Sequence, residues 1–433
     1  MNIRYGSVCS GVEAASLAWS KLGWKPAFFS EVEPFPSAVL QQRFDATKPI
    51  RPLDSLEEGI DDKERKTRRS WAKQIERLPE GGTIPNLGDF RKIRKTDYEG
   101  NIDLLVGGTP CQDLSVAGKR EGFDGKRSCL ALDFVRLAYE LECKWFIWEN
   151  VPGAFSSNGK RDFARLLSLF SGCEVETPRK RFGTAGFVCN ARRDRFGLAW
   201  RVLDAQFVRT HGFPFAIPQR RRRIFIVGYF GDWRRAATVL FEPERLSWNP
   251  PTRFRQKEEN SKVIGISSDG TSETDVSFTL DATYYKGVCG RSSTRTLCFV
   301  ETGKGFYNQQ NISGTLEQHE EQHRRNIICF HGSQDTISNT EHANAVNRNN
   351  GLENCISDGF SVRRLMPLEC ERLMGFPDNY TRISFNGKPE EKCPDAPRYK
   401  ACGNSMCVNV MEWLGRRIEM VEGQEVKDQE SEN

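Results

Sequence analysis

The sequence predicts an α/β protein, a Rossmann-like, doubly wound and mostly parallel sheet with a smaller, irregular domain inserted late in the chain. Two observations carry that expectation. Residues 1–230 alternate short apolar strand signals with helical periodicity, the pattern of strands covered on both faces by helices. Residues 245–360 then change character: Asn, Gln, Ser, Thr and Gly rise, aliphatic residues thin out and helical periodicity disappears. Composition alone would assign that second stretch to loops or disorder.

The elements follow in order. Residues 3–9 form a first strand, and Ser10-Gly11-Val12-Glu13 turns into a helix with Ala14, Leu17, Ala18 and Leu22 at helical spacing. A second strand, residues 26–30, ends in Glu31, which stands roughly 20 residues after the glycine turn, where an acidic side chain suits a ribose diol. Taken alone, this unit equally suits a nucleotide-binding oxidoreductase. Residues 48–82 interrupt the alternation with the charged run Asp61-Asp62-Lys63-Glu64-Arg65-Lys66, a solvated excursion before the third strand.

That third strand, Asp103-Leu104-Leu105-Val106-Gly107, ends in a second glycine and then Thr109-Pro110-Cys111-Gln112. The loop after a strand's carboxyl end is where chemistry sits in an open α/β sheet. A cysteine held there by a proline is placed to act as a nucleophile, although the same pattern also fits a buried loop cysteine. A fourth strand, Trp145-Phe146-Ile147-Trp148, delivers Glu149 and Asn150 before a Pro152-Gly153 turn. Residues 155–198 are a second excursion, rich in Gly and Arg.

Gln219-Arg220-Arg221-Arg222-Arg223 leads straight into an apolar strand, and alternation puts Gln219, Arg221 and Arg223 on one side of it. Late in the chain, Gly403-Asn404-Ser405 is expected as a helix entry, with Asn404 or Ser405 as its cap. Ordered structure is expected to end near Met420, leaving residues 421–433 as a disordered tail. The expected organisation is a catalytic domain over 1–244, a recognition domain over 245–360 and a return segment over 361–420.

These motifs in this order resemble the DNA cytosine-5 methyltransferase family over nearly the whole chain apart from two inserted stretches. The residues that carry the resemblance are Pro110-Cys111-Gln112, Glu149-Asn150-Val151, Gln219-x-Arg221-x-Arg223 and Gly403-Asn404-Ser405. Residues 364–377, from Arg364 to Pro377, are similar to the family's ninth motif. The resemblance implies the fold of S-adenosyl-L-methionine-dependent methyltransferases. It also implies a donor pocket built from Cys9, Gly11, Glu31, Asp89, Pro110, Asn404 and Ser405, with Glu31 on the ribose and Asp89 capping the adenine amino group. Cys111, Glu149, Arg221 and Arg223 would be catalytic, and Gln112, Asn150 and Gln219 would meet the substrate. One departure stands out: the family's Phe-x-Gly-x-Gly has Cys9 in place of the aromatic and Glu13 in place of the second glycine.

Chemistry agrees with the resemblance. Cytosine C5 is a poor nucleophile, and a thiolate adding at C6 supplies it with electron density. A carboxyl such as Glu149 at the N3 edge stabilises the charge that develops, provided its pKa is raised. A stacked cytosine must first leave the duplex, which makes base flipping a mechanical requirement. The glycine-rich loop 115–123 has the composition of a closing lid. In residues 245–360, which stand where the family has its target-recognition domain, amide, hydroxyl and Arg side chains are the types that meet base edges.

The net charge of +5 is modest for a DNA binder, but residues 177–223 are dense in Arg and Lys and nearly free of acids, an electrostatic footprint for phosphates. The 14 cysteines show neither a disulfide framework nor metal-ligand pairs. No apolar run reaches membrane-spanning length. The expectation is therefore a cytoplasmic, monomeric enzyme on double-stranded DNA with no metal, borne by a phage or by a bacterial restriction-modification system beside a separate restriction endonuclease. An RNA cytosine-5 methyltransferase and a catalytically dead DNA-binding relative are the alternatives. The long recognition segment argues against the first, and retention of Cys111 and Glu149 against the second.

Overall fold

Four parallel strands whose carboxyl ends lie in register organise the molecule, here described from a computed structural model. The structure describes residues 2–109, 130–190, 192–241 and 365–431, with short strand segments between 265 and 364. Strands β1 (Arg4–Val8), β2 (Lys25–Ser30), β3 (Leu104–Gly107) and β4 (Trp145–Asn150) are joined in the order β2-β1-β3-β4, all parallel. Val8 pairs with Ser30 on one side and Gly107 on the other, and Gly107 pairs with Trp148. The residues that follow these four therefore emerge along one edge, as the carboxyl-edge rule expects.

The sheet continues through β5 (Ala185–Val188), β6 (Phe196–Asp204), a two-residue β7 (Gln219–Arg220) that pairs elsewhere, and β8 (Arg222–Phe230). The full order is β2-β1-β3-β4-β8-β6-β5. Because β8 runs antiparallel to β4 and to β6, while β5 reverses against β6, the strands β1, β2, β3, β4 and β6 share a direction. The reversal matters for the site: it brings the amino end of β8, with Arg223 beside Ile224, to the same edge as the carboxyl end of β4, where Asn150 pairs with Ile224.

Alternation along each central strand sorts side chains to two cores. Leu104, Val106, Trp145, Ile147, Phe225 and Val227 join one core, and Leu105, Phe146, Trp148, Ile224 and Ile226 the other. The first is covered by helices α1 (Ala14–Trp19) and α2 (Pro34–Phe44), the second by helices lying later in the chain. A charged helix, α3 (Asp62–Glu76), capped by Asp61, lies in the first excursion. The second core is covered by α4 (Leu130–Glu140) and α5 (Arg161–Ser171), and α6 (Trp233–Leu240) returns to the first. Apolar surface on both sheet faces leaves only a doubly wound arrangement.

Three expectations are corrected. Residues 155–198 are not an excursion: they contain α5, with Phe163, Leu166, Leu167 and Phe170 buried, and the hairpin partner β5. Gly403-Asn404-Ser405 is a helix exit rather than an entry, because α7 (Pro367–Met374) is followed by α8 (Asp395–Asn404), whose carboxyl cap is Ser405. The last helix, α9 (Val408–Ser431), runs past Met420 into the expected tail. Its continuation has a local cause: Val421 is buried, and the buried carboxylate of Glu422 accepts from Trp145 Nε1 at 2.8 Å and pairs with Arg235 at 3.2 Å.

A second unit comprises Glu242–Ser338 and Cys355–Arg364. Its described backbone includes a five-stranded antiparallel sheet of Asn326–Ile327, Cys298–Glu301, Tyr307–Gln310, Ser361–Arg364 and Cys355–Ser357, in that order, and an antiparallel pair of Gly265–Ile266 with Glu273–Thr274. Residues Asn339–Asn354 belong with the first unit, where Ala343–Asn344 lies parallel to β7. No described helix is long and apolar enough to cross a membrane.

Candidate active site

The residues leaving β1, β3 and β4 line a cleft that opens to solvent. Its lining comes from the first turn (Ser7, Cys9, Ser10, Gly11, Glu13), from the end of β3 (Gly107, Gly108), from Glu149 and from the late loop Asn404-Ser405-Met406.

The amino-terminal wall is held by a buried acid. Glu31 Oε2 accepts from Gly11 N at 2.8 Å, while Oε1 accepts from Val32 N and Glu33 N, each at 2.8 Å. Burial, followed by the charge of Glu33, pushes its carboxyl up to about 7. Gly11 adopts φ +58°, a left-handed conformation that glycine takes without strain. Asp89 behaves differently from expectation: it is buried outside the cleft lining, and Arg91 engages both of its oxygens, with Nη2 at 2.8 Å. Arg91 also donates to Glu57 at 2.7 and 3.0 Å, so the first excursion braces this acid.

On the other wall, β4 ends in two functional side chains with different tasks. Glu149 Oε1 lies 3.2 Å from Arg223 Nε. Burial raises the Glu149 carboxyl above its ordinary range, while Arg223 and Arg221 pull it back. A Cβ on Gly108 would come within 2.8 Å of Glu149 Oε2, so only glycine leaves this carboxylate its place. Asn150 turns away from the cleft and donates to the carbonyl of Thr109 at 2.9 Å.

The arginines divide in the same way. Arg221 is buried and donates to the carbonyls of Gly403 at 2.9 Å and Ser405 at 2.6 Å, which holds the late loop against the cleft. Burial, then the charge of Arg223, pulls its guanidinium down to about 10, still protonated at neutral pH. Gln219 is fully buried and donates to Leu373 O at 2.7 Å, joining β7 to α7. Asn150, Arg221 and Gln219, expected at the substrate, thus have side chains committed to backbone carbonyls. Of that set, Glu149 and Arg223 face each other at the cleft edge.

Pro110, Cys111, Gln112 and the loop 115–123 lie outside the described residues, as do the recognition-domain side chains between 284 and 349. Glu13, Gly108, Thr109 and Met406 belong to the site or its frame without having been singled out for it. Only Glu13 carried a sequence signal, as a departure from a glycine. Among the described residues no cluster of His, Cys, Asp and Glu is arranged to hold a metal ion.

A doubly wound sheet with a cleft at its carboxyl edge, walled by a glycine turn and a buried acid, defines the class of α/β transferases and nucleotide-binding enzymes. The chain belongs to the C-5 cytosine-specific DNA methylase family, whose model matches residues 81–420. Over 98% of its length it is 30% identical to a protein of Escherichia phage P1 named DNA N-6-adenine-methyltransferase, and it spans 63% of that relative. It is 24% identical to the type II methyltransferase M.HpaII of Haemophilus parainfluenzae, over 80% of this chain and 81% of the relative. Against the type II methyltransferase M.NgoPII of Neisseria gonorrhoeae the identity is 23%, covering 75% and 78%.

Proposed function

We propose that the protein transfers a methyl group from S-adenosyl-L-methionine to C5 of a cytosine flipped out of double-stranded DNA. The observation that supports this most is the pairing of Glu149 with Arg223 on the wall of the cleft, in a chain whose family acts on cytosine C5. The cleft residues suit the donor: a glycine turn, two acids in the lining and no basic side chain among the described lining residues fit a small cationic ligand. When bound, the donor supplies an electrophilic methyl group on a sulfonium.

Each remaining step belongs to the chain. Cys111 adds as thiolate to C6, and the electron pair of the C5–C6 double bond becomes available at C5. Glu149, protonated at the pH where its raised pKa permits, holds the ring at N3 and stabilises the negative charge that addition creates. Arg223 keeps this carboxyl oriented. C5 bonds to the methyl carbon, the C5 proton leaves to water or a nearby base, and the C6–S bond breaks to release Cys111 as thiolate. Arg221, Gln219 and Asn150 act as positioning residues in this scheme. Residues 245–360 would select the DNA site, and the enzyme would act as a cytoplasmic monomer, with any restriction endonuclease a separate protein.

The test is incubation of the protein with labelled S-adenosyl-L-methionine and mixed-sequence duplex DNA, followed by mapping of both 5-methylcytosine and N6-methyladenine. Label confined to cytosines of one short motif is the expected result. Label on adenine would extend the activity in the name of the phage P1 relative to this chain, and label on structured RNA alone would replace DNA as substrate. Cys111→Ser should abolish transfer while leaving DNA binding largely intact.

A further inference from the structure

The cleft is acidic on three sides although the chain as a whole carries +5. Glu13 and Glu149 line it, and Glu31 bonds to Gly11 in its wall. The reading above gives Glu31 and Glu149 work to do, and leaves Glu13 without any. Yet Glu13 sits in left-handed backbone, φ 65° and ψ 64°, which a residue with a Cβ adopts at a cost of about 1 kcal/mol. Strain kept in the wall of a binding site points to a task for the side chain.

Its carboxylate is fixed from both ends. Oε1 accepts from Ser16 N at 3.1 Å and Ser16 Oγ at 3.0 Å, and Oε2 accepts from Ser7 Oγ at 2.7 Å, Ser7 itself lining the cleft. Around it stand two buried phenols. Tyr5, on β1, bonds to Ser16 Oγ at 2.6 Å, and Tyr380 donates to Val12 O at 2.7 Å. Burial holds both phenols well above their ordinary range, so they stay neutral at working pH. The influences on Glu13 are burial and hydrogen bonds from Ser7 and Ser16, with no cation among them. Above about pH 7 a negative charge is thus stationed where α1 begins, in the wall of a cleft with no basic residue among its described lining residues.

We propose that Glu13 is a specificity residue: its carboxylate makes the cleft select a cationic sulfonium nucleoside over the neutral thioether that remains once the methyl group has left. The inference rests on the donor reading given above. Attraction between the carboxylate and a cation is lost at the moment the sulfonium becomes a thioether, which favours exchange of product for fresh donor. The same charge disfavours a pyrophosphate at this helix start, which separates the cleft from dinucleotide sites. Because burial pushes the Glu13 carboxyl up to about 7, the selectivity is graded across neutral pH. Donor and product each carry an α-amino group, and comparing wild type with Glu13→Gln at one pH removes its contribution. Glu31 acts in the same direction in every variant, so the difference between variants isolates Glu13.

The experiment is calorimetric titration of the full chain with S-adenosylmethionine and with S-adenosylhomocysteine at pH 6 and pH 8, for the wild type, Glu13→Gln and Ser7→Ala. The wild-type preference for the donor should rise roughly fivefold between the two pH values. Glu13→Gln should lower the preference at pH 8 by roughly tenfold and shrink its pH dependence to the part that Glu31 contributes. Ser7→Ala, which removes a hydrogen bond to the charged form, should move the rise to higher pH. A folded Glu13→Gln protein with the wild-type preference overturns the proposal. If that variant does not fold, a wild-type preference equal at both pH values overturns it instead. Failure of the wild type to bind either compound overturns the donor reading itself.

Discussion

The side-chain amide of Asn150 donates to the carbonyl of Thr109 at 2.9 Å, fastening the end of β4 to the segment that leaves β3. The bond has company: Asn150 Oδ1 accepts from Val151 N at 2.8 Å, and Trp148 Nε1 donates to Thr109 Oγ1 at 3.0 Å. Thr109 is therefore clamped through both its backbone and its hydroxyl, two residues before Cys111 in the sequence. Asn150→Ala leaves a buried carbonyl without its donor, at a cost of about 1–3 kcal/mol. Its kcat should fall by roughly tenfold to a hundredfold, with donor affinity nearly unchanged. Single-turnover kinetics beside calorimetry checks this, and an unchanged kcat would detach the clamp from catalysis.

Glu149 and Arg223 make a second, separable prediction. Glu149→Gln keeps the shape of the side chain and removes its proton, so transfer should fall by at least about a hundredfold. Arg223→Gln removes the charge that holds the Glu149 carboxyl down, and the carboxyl should then stay protonated to higher pH. The alkaline limb of the kcat profile should move upward in that variant. A limb that stays where it is, or moves down, would show that protonated Glu149 is not the active form. Gly108→Ala would place a methyl 2.8 Å from Glu149 Oε2 and should depress kcat without changing the fold.

Arg221 and Arg223 are near neighbours in sequence but should respond in opposite ways. Arg221 is 3% exposed, and its loss strands the carbonyls of Gly403 and Ser405. Arg221→Ala should cost about 2–4 kcal/mol of stability and weaken donor binding, because Asn404-Ser405-Met406 lines the cleft. Arg223→Ala should act chiefly on kcat, its effect on stability held down because Glu149 can take up a proton once the guanidinium is gone. Chemical denaturation of the two variants side by side distinguishes them.

Two buried acids give the fold its own pH dependence. Glu13 and Glu31 are each pushed up to about 7 in the folded chain, burial being the first cause in both, against 4.5 when unfolded. The folded state therefore binds more protons than the unfolded state between those limits, and stability falls as pH rises through them. Each shift is worth at most about 3 kcal/mol, fully present below pH 4.5 and lost above pH 7. The melting temperature should be higher at pH 5.5 than at pH 8, and Glu13→Gln should shrink the difference. Addition of a cationic donor at pH 8 should restore part of it. A melting temperature independent of pH from 5.5 to 8 would contradict the assignment.

Much of the frame was legible because it is local. Strands buried on two faces are continuous apolar runs, and β1, β2, β3 and β4 appear as such in the sequence. The acidic strand end at Glu31 and the Glu149-Asn150 pair were legible for the same reason: each directly follows an apolar run. What misled were composition and side-chain type. The Gly- and Arg-rich stretch 155–198 hides α5, since a helix needs only one apolar stripe and its other face takes any polar residue. Gln219 and Arg221 look like ligands by type, while burial makes them braces.

The sequence by itself thus determined the α/β class, the run of strands through β4 and the residues from which a cytosine-5 methylase would be built. Those properties depend on period, motif and order, which are written within a few residues of one another. Tertiary structure alone decided the division of labour among the motif residues. It is the antiparallel return of β8 that brings Arg223 to Glu149, and the exit of α8 that carries the carbonyls of Gly403 and Ser405 to Arg221. It is also burial that makes Glu13 more than a misplaced residue in a glycine turn, by stationing a carboxylate that titrates near neutrality in the cleft wall. Hydrogen bonding and desolvation depend on what surrounds a side chain in three dimensions, and Ser405 reaches Arg221 across 184 positions of the chain.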